Sequence, residues 1–388
     1  MKILHVISMG HVSGGAEKSV VMLKQGLEAR GHAVRIMSSD RDPDVPHFSD
    51  YECKHIQATT PLGLFRHLWN GSAYRTLKNA IVDFNPDVVH FHTMGELSPS
   101  VLFALGGTPA ILTVHGPEEY TATLLEWYLP PHVFKGAVSM HNLNLIGMAY
   151  YGFFKFLQRP LYKVGFRRLK LMVSPSKYLA QKLVEERFRV PIDQVYNGID
   201  LPKAASLPDA KNVLYIGRLE HVKGVEVLLR ALPAVTAEVP DVHLDIVGDG
   251  PDRRRLEALA NELVVNEWVT FRGWLQGKAV TNAYKNARVQ AVPSIWPENL
   301  PTVVIEALAV GRPVVGSRVG GIPELIRDGV TGKIVEPGNS DDLAKALISL
   351  LKDPNLANKA DAAHTDAERF ALPQFITHIE KLYGDITE

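Results

Sequence analysis

Two acids eight residues apart, Glu298 and Glu306, lie in the stretch Ser294 to Val319, SIWPENLPTVVIEALAVGRPVVGSRV. The pattern predicts a helix that begins near Asn299, with Pro301 in its first turn, where a missing N–H costs least. Around Glu306 the positions three and four residues away, Thr302, Val303, Ala309 and Val310, give no polar stripe, so its carboxylate needs a partner. A ligand hydroxyl is the obvious one. Eight residues of helix rise about 12 Å, whereas the acid pair of a glycoside hydrolase flanks one bond at roughly 5 to 9.5 Å. The two acids are therefore expected to touch different parts of one long ligand. The opening amides of the helix between them favour an anion, and a diphosphate is the natural occupant.

Three further groups have types suited to the same work. Gly217 to Gly224, GRLEHVKG, joins a strand to a helix and carries Arg218, a planar fork, and Lys223, a point charge, so it suits phosphate oxygens. Gly14 and Gly15 follow the first strand, where backbone without a Cβ can approach a phosphate or a sugar; their spacing is not that of a dinucleotide fingerprint. His115 falls with Gly116 at the carboxyl end of the strand Ile111 to Val114, where ligand crevices of open α/β sheets lie. By contrast Asp40, Asp42 and Asp44 read as a solvated loop, since no later bidentate acid completes a calcium pattern. His90 and His92 share one strand face, and with no third ligand nearby they read as packed or hydrogen-bonded.

These residues need scaffolds. Ile3–Ser8, Val34–Ser38, Val88–Phe91, Ala110–Val114 and a strand beginning at Leu171 are short apolar runs with helical patterns between them, as a doubly wound parallel sheet requires. Pro191 to Pro208 reads as turn and linker. Beyond it Asn212–Ile216, Val242–Val247, Val269–Arg272, Gln290–Pro293, Val314–Ser317 and Gly332–Val335 supply a second such sheet. The length of 388 residues, 46% hydrophobic and 22% charged, suits two soluble domains. Formal net charge is zero, yet residues 1–190 hold 21 Lys+Arg against 15 Asp+Glu and the remainder 21 against 27. A basic surface therefore belongs to the first half.

Within that half no Asp or Glu occurs from Trp127 to Val184, and Lys135, Lys155, Arg159, Lys163, Arg167, Arg168, Lys170, Lys177 and Lys182 alternate with Tyr150, Tyr151, Phe153, Phe154, Phe156 and Tyr162. An anionic membrane surface or a lipid-phosphate acceptor suits that mixture, as does a basic-edged helix with its aromatics turned inward. Nucleic acid has only the charge in its favour and is not expected as a partner. A single cysteine, Cys53, excludes an internal disulfide, and no signal peptide or apolar run of membrane-spanning length is visible. A cytoplasmic protein is expected, with peripheral contact at the inner face of the membrane through residues 127–184.

GGAE at Gly14 to Glu17, TVHG at Thr113 to Gly116, SPSKYLA at Ser174 to Ala180, YNGID at Tyr196 to Asp200, YIGRLEHVKG at Tyr215 to Gly224, VGDGP at Val247 to Pro251 and the E-x7-E of Glu298 to Glu306 occur in one order. Together they resemble the family-4 retaining glycosyltransferases of GT-B fold. The resemblance implies an α/β chain of two facing Rossmann-like, doubly wound domains with a cleft between them: an acceptor-binding domain at 1–200, a nucleotide-sugar-binding domain at 201–367, and a C-terminal helix at about 368–388 that returns to the first. It implies a hexosyltransferase that moves a hexose-type sugar from a UDP- or GDP-sugar to a glycan, lipid-linked or small-molecule acceptor, with no cofactor and no metal.

In that reading Arg218 and Lys223 grip the diphosphate and neutralise the departing nucleotide, helped by amides near Thr302 and Val303. Glu298, with Asn299 and Leu300 beside it, binds the transferred sugar, and Glu306 binds the ribose. His115 lies near the sugar's far edge, and Gly14 and Gly15 serve the acceptor side. The acceptor hydroxyl attacks on the face the diphosphate leaves, and positioning and charge stabilisation do most of the work. The alternatives on the same fold are a sugar-nucleotide epimerase and a non-catalytic nucleotide-sugar sensor.

Overall fold

The computed structural model describes residues 1–56, 61–116, 148 and 152–388. They divide into two compact units, Met1–Asn197 with Phe375–Glu388, and Gly198–Gln374. In the first unit β1 (Lys2–Met9), β2 (Ala33–Ser39), β3 (Tyr51–Cys53), β4 (Val88–Phe91), β5 (Ala110–Thr113), β6 (Leu171–Ser174) and β7 (Ile192–Gln194) form one parallel sheet in the order β3-β2-β1-β4-β5-β6-β7. Its central strands are buried along nearly their whole length, which is why they read as continuous apolar runs rather than alternating ones. The two edge strands escaped the sequence. Ile192–Gln194 lies inside the stretch expected to be turn and linker, and three residues with one aliphatic side chain leave no apolar run to detect.

The last helix, Leu372–Thr387, belongs to the first unit from Phe375 onward. It docks on the helix Gly15–Ala29, where a Cβ on Gly26 would lie only 2.0 Å from Ile376 Cδ1, so a larger residue there would make the isoleucine side chain move. Arg30 Nη1 donates to Glu380 Oε2 at 2.7 Å beside it. At the sheet the Tyr383 hydroxyl and His90 Nδ1 are 2.6 Å apart.

The basic, aromatic segment divides by face. Tyr150, Tyr151 and Lys135 lie outside the described residues. Phe154, Tyr162 and Phe166 are buried, as the inward-packed reading expects, while Phe156 is 67% and Phe65 62% exposed. The Phe65 and Phe153 rings meet edge-on with centroids 6.2 Å apart, and Lys155 Nζ lies 5.6 Å from the centre of the Phe156 ring. Lys155 and the outward Phe156 are thus neighbours. No helix among the described residues is long and apolar enough to cross a membrane.

In the second unit β8 (Lys211–Ile216), β9 (Val242–Val247), β10 (Val269–Gly273), β11 (Val289–Val292), β12 (Val314–Ser317) and β13 (Gly332–Val335) form a parallel sheet in the order β10-β9-β8-β11-β12-β13. Leu228, Leu229 and Leu232 of the helix Val225–Glu238 close one core with Leu343, Leu347 and Leu350 of the helix Ser340–Leu351. The expectation of two doubly wound, Rossmann-like sheets is met.

One buried cation pins this unit together. Arg312 is fully buried, and its five N–H groups donate to the carbonyls of Tyr284, Ala205, Gly311, Ser206 and Lys285 at 2.8 to 3.1 Å. Burial pulls its pKa down to about 10, so it stays charged at neutral pH. A side chain of similar length cannot replace that fork. Arg312→Met should cost about 3 to 5 kcal/mol of stability, read by chemical denaturation; a midpoint unchanged from wild type would show that the five bonds do not hold the linker residues Ala205 and Ser206 in place.

Candidate functional site

The second unit brings Lys223 and Glu298 together through its topology. Strand order reverses between β8 and β11, and in open parallel sheets a ligand crevice lies outside the carboxyl ends at such a point. There β8 runs out into Gly217–Gly224 and β11 into Pro293–Pro301. Ile295 N donates to Val222 O at 3.0 Å, which ties the loops to each other. Gly224 sits at φ 69°, and a Cβ there would lie 1.9 Å from Pro293 O, so only glycine allows the approach.

The consequence is a contact between residues 75 apart in sequence. Lys223 Nζ lies 2.6 Å from Glu298 Oε1, and Ser294 Oγ donates to the same oxygen at 2.8 Å. With side chains 29% and 17% exposed, the cation and the acid are half-sheltered but open to a ligand. Arg218, 59% exposed, pairs through Nη2 with Glu220 Oε1 at 2.6 Å. Leu300, almost buried, anchors the chain beyond Glu298, with Asn299 between them.

One expectation about the acidic stretch is corrected. The helix runs from Thr302 to Val310, and Pro301 (φ −69°, ψ 105°) is the residue before it rather than part of its first turn. The Glu298–Pro301 segment lies outside the helix, and Gly321 N donates to Glu298 O at 2.8 Å. No side chain caps the helix, so the opening amides, those of Thr302 and Val303 foremost, lack the usual protein acceptor. Glu306 is partly exposed, and the Tyr284 hydroxyl donates to its Oε2 at 2.9 Å. A protein group therefore supplies one partner of this carboxylate, which no local pattern shows. Burial and the nearby Glu306 push the Tyr284 hydroxyl well above its ordinary pKa, so it remains a donor.

In the first unit Gly14 is extended (φ −162°), and Gly15 opens the helix that follows β1. A Cβ on Gly15 would meet nothing within 4 Å, so no neighbour in the fold demands glycine there. His115, two residues beyond β5, is partly buried and is joined to a chain of imidazoles. Its Nε2 lies 3.1 Å from His92 Nδ1, and His92 Nε2 lies 2.9 Å from His5 Nδ1. His90 pairs separately, with Thr113 Oγ1 at 2.7 Å and with Tyr383.

His90 and His92 thus have the hydrogen-bonded role expected, but the reason given for it, that no third histidine is near, is overturned. β1 and β4 are neighbours, with His5 opposite His90, and the ring nitrogens of His5, His90 and His92 lie within 4.8 Å of one another. Only the sheet order reveals this, because His5 reads in sequence as one polar residue in an apolar strand.

Burial holds these rings neutral. It lowers His5 to about 3 and His115 to about 4, and His90 and His92 well below the ordinary 6.5. The unfolded chain binds protons there that the folded chain does not, so stability is complete above pH 6.5 and falls as pH drops toward 4 and 3. One ring kept neutral at pH 5 costs about 2 kcal/mol. Melting from about pH 7.5 down to about pH 5 should show a falling Tm, with a smaller fall in His5→Phe; a Tm independent of pH would contradict the neutral cluster.

Comparison with known proteins agrees with both halves. The family model described as Glycosyltransferase Family 4 matches residues 13–203, and that of glycosyl transferases group 1 matches residues 200–366. The chain is 27% identical to the phosphatidyl-myo-inositol mannosyltransferase of Mycobacterium leprae over 92% of this chain and 89% of that one. Among solved structures it is similar in fold to sucrose-phosphate synthase from Thermosynechococcus elongatus (TM-score 0.76, 23% identity, 99% of each chain). It is also similar to the Anabaena protein HepE in complex with UDP and glucose (TM-score 0.70, 20% identity, 99% of this chain and 100% of that one).

Proposed function

This chain belongs to the family-4 glycosyltransferases, as a hexosyltransferase of GT-B fold, and from that premise we propose that it moves a hexose-type sugar from a UDP- or GDP-sugar to an acceptor hydroxyl with retention at the anomeric carbon. The observation that carries the proposal is the Lys223–Glu298 pair at 2.6 Å beside a helix start that no side chain caps. Lys223 and Arg218 hold the diphosphate from one side, and the amides of Thr302 and Val303 meet it from the other. Glu298, with Asn299 and Leu300, takes hydroxyls of the transferred sugar. Glu306, set by Tyr284, takes those of the ribose. For His115, Gly14 and Gly15, which belong to the other unit, the family resemblance supports roles toward the sugar and the acceptor.

The acceptor oxygen forms its bond to the anomeric carbon as the bond from that carbon to the diphosphate oxygen breaks on the same face. The acceptor's proton passes to a phosphate oxygen, so no separate enzymic base is needed. Charge on the leaving group is met by the two cations and the amides, which together fill the role a divalent ion plays elsewhere. Transfer is therefore independent of added metal.

Radiolabelled UDP- and GDP-sugars, GDP-mannose first because a relative is named a mannosyltransferase, incubated with glycan, lipid-linked and small-molecule acceptors in EDTA should yield product with the donor's anomeric configuration. Absence of both transfer and donor hydrolysis across the panel would overturn the proposal. Conversion of the sugar nucleotide with no acceptor present would favour an epimerase, and binding without turnover a sensor. A lipid-linked acceptor suits the outward Phe65, Phe156 and Lys155 surface. Flotation with anionic vesicles, weakening as salt rises, is expected of it, and no flotation at low salt would remove the membrane part of the reading.

A further inference from the structure

We infer that His5 and His92 are a tautomer-setting relay for His115: they place the His115 proton on Nδ1 and turn its Nε2 lone pair into the core. The three rings form one chain, His5 Nδ1 to His92 Nε2 at 2.9 Å and His92 Nδ1 to His115 Nε2 at 3.1 Å. Each neutral ring carries one N–H, so the direction of the first bond dictates that of the second. Two arrangements satisfy both bonds, and they differ at the far end, where His5 Nε2 is buried with no hydrogen-bond partner.

If the protons ran outward to inward, His5 would bury an N–H with no acceptor. If they run inward to outward, His5 buries only an unused lone pair, and orphaned buried donors are the rarer of the two in folded proteins. His5 Nδ1–H therefore donates to His92, and His92 Nδ1–H donates to His115. With Nε2 accepting, the remaining His115 proton lies on Nδ1. The cluster stays neutral because burial disfavours the imidazolium form.

A chemical role follows. The one basic nitrogen of His115 is engaged by His92, so His115 serves as a hydrogen-bond donor and not as a proton acceptor. That accords with a transfer in which the leaving phosphate takes the acceptor's proton. The kinetic consequence rests on the proposed placement of His115 beside the donor sugar; the tautomer does not. His5 and His92 are positioning residues, two strands deep in the sheet.

Long-range proton–nitrogen correlation on protein labelled with nitrogen-15 histidine, near neutral pH and without substrate, reads the tautomer directly. Wild type is expected to show a pyrrole-type Nδ1 and a pyridine-type Nε2 for His115. In His92→Leu, which removes the donor, the two should average or exchange character, and kcat/KM should fall by about 10- to 100-fold, the usual cost when the partner that orients a functional histidine is lost. His92→Gln keeps one donor and one acceptor in the relay, and should restore both the spectrum and most of the activity. A pyrrole-type Nε2 on His115 in the wild type would overturn the relay, as would a His115 spectrum unchanged in folded His92→Leu. The expected spectra with unaltered kinetics would leave the relay standing and sink the placement of His115 at the donor. Should His92→Leu fail to fold, the wild-type spectrum and His5→Phe, which removes only the first donor, decide the matter.

Discussion

Alanine at position 223 should lower kcat by about 10²- to 10³-fold, the loss seen when one preorganised charge-stabilising donor is removed from an active site. Lys223 is the cation most tightly built into the site, since its ammonium lies 2.6 Å from Glu298 and its loop is tied to the Pro293–Pro301 segment through Ile295. Arg218 is far more exposed, and the acid it pairs with among the described residues, Glu220, lies in the same loop, so Arg218→Ala should cost less. The effect of Lys223→Ala should fall on turnover more than on KM, because negative charge on the departing diphosphate grows toward the transition state. Lys223→Arg should recover only part, for a planar fork does not reproduce a compact point charge. Steady-state kinetics with the best donor check this; a fall confined to KM would mean that Lys223 holds substrate and product alike and leaves the chemical step untouched.

Glu298→Gln is the second large effect. The amide keeps the size of the side chain and an oxygen that accepts from Lys223 and Ser294, but it loses the charge that Lys223 pairs with and puts an NH₂ group in place of the other carboxylate oxygen. Turnover should fall by about 10²-fold. Nucleoside diphosphate affinity should change far less, because the proposal gives the nucleotide to Arg218, Lys223 and Glu306. Calorimetry beside kinetics separates the two quantities. Because Glu298 and Lys223 share a hydrogen bond, the double variant should lose less than the product of the single losses; strict multiplicativity would show that the two act independently.

The likeness between these two variants explains what the sequence conveyed and what it withheld. Arg218, Lys223 and Glu298 were legible because each stands in a short motif at a strand end, and parallel sheets bring such ends together at one edge. The apolar runs of the central strands were legible because burial on both faces leaves nothing polar to interrupt them. Glu306 was read without its protein partner because Tyr284 comes from another helix 22 residues earlier, a distance no local pattern records. The helix start was misplaced by three residues because a proline suits both the first turn and the position before it, and the hydrogen bond from Gly321 to Glu298 O is not local. His5 was missed because pairing of β1 with β4 is a fact of topology. The signal available was a histidine inside an otherwise apolar strand, which costs free energy to bury and so requires partners.

The most direct test is a crystal structure of the chain soaked with UDP or GDP in the presence of EDTA. The terminal phosphate is expected within about 3 Å of Lys223 Nζ, the Arg218 guanidinium and an amide of Thr302 or Val303, with ribose hydroxyls on Glu306. A diphosphate bound elsewhere in the second unit, or ordered only when a divalent ion is restored, would contradict the account.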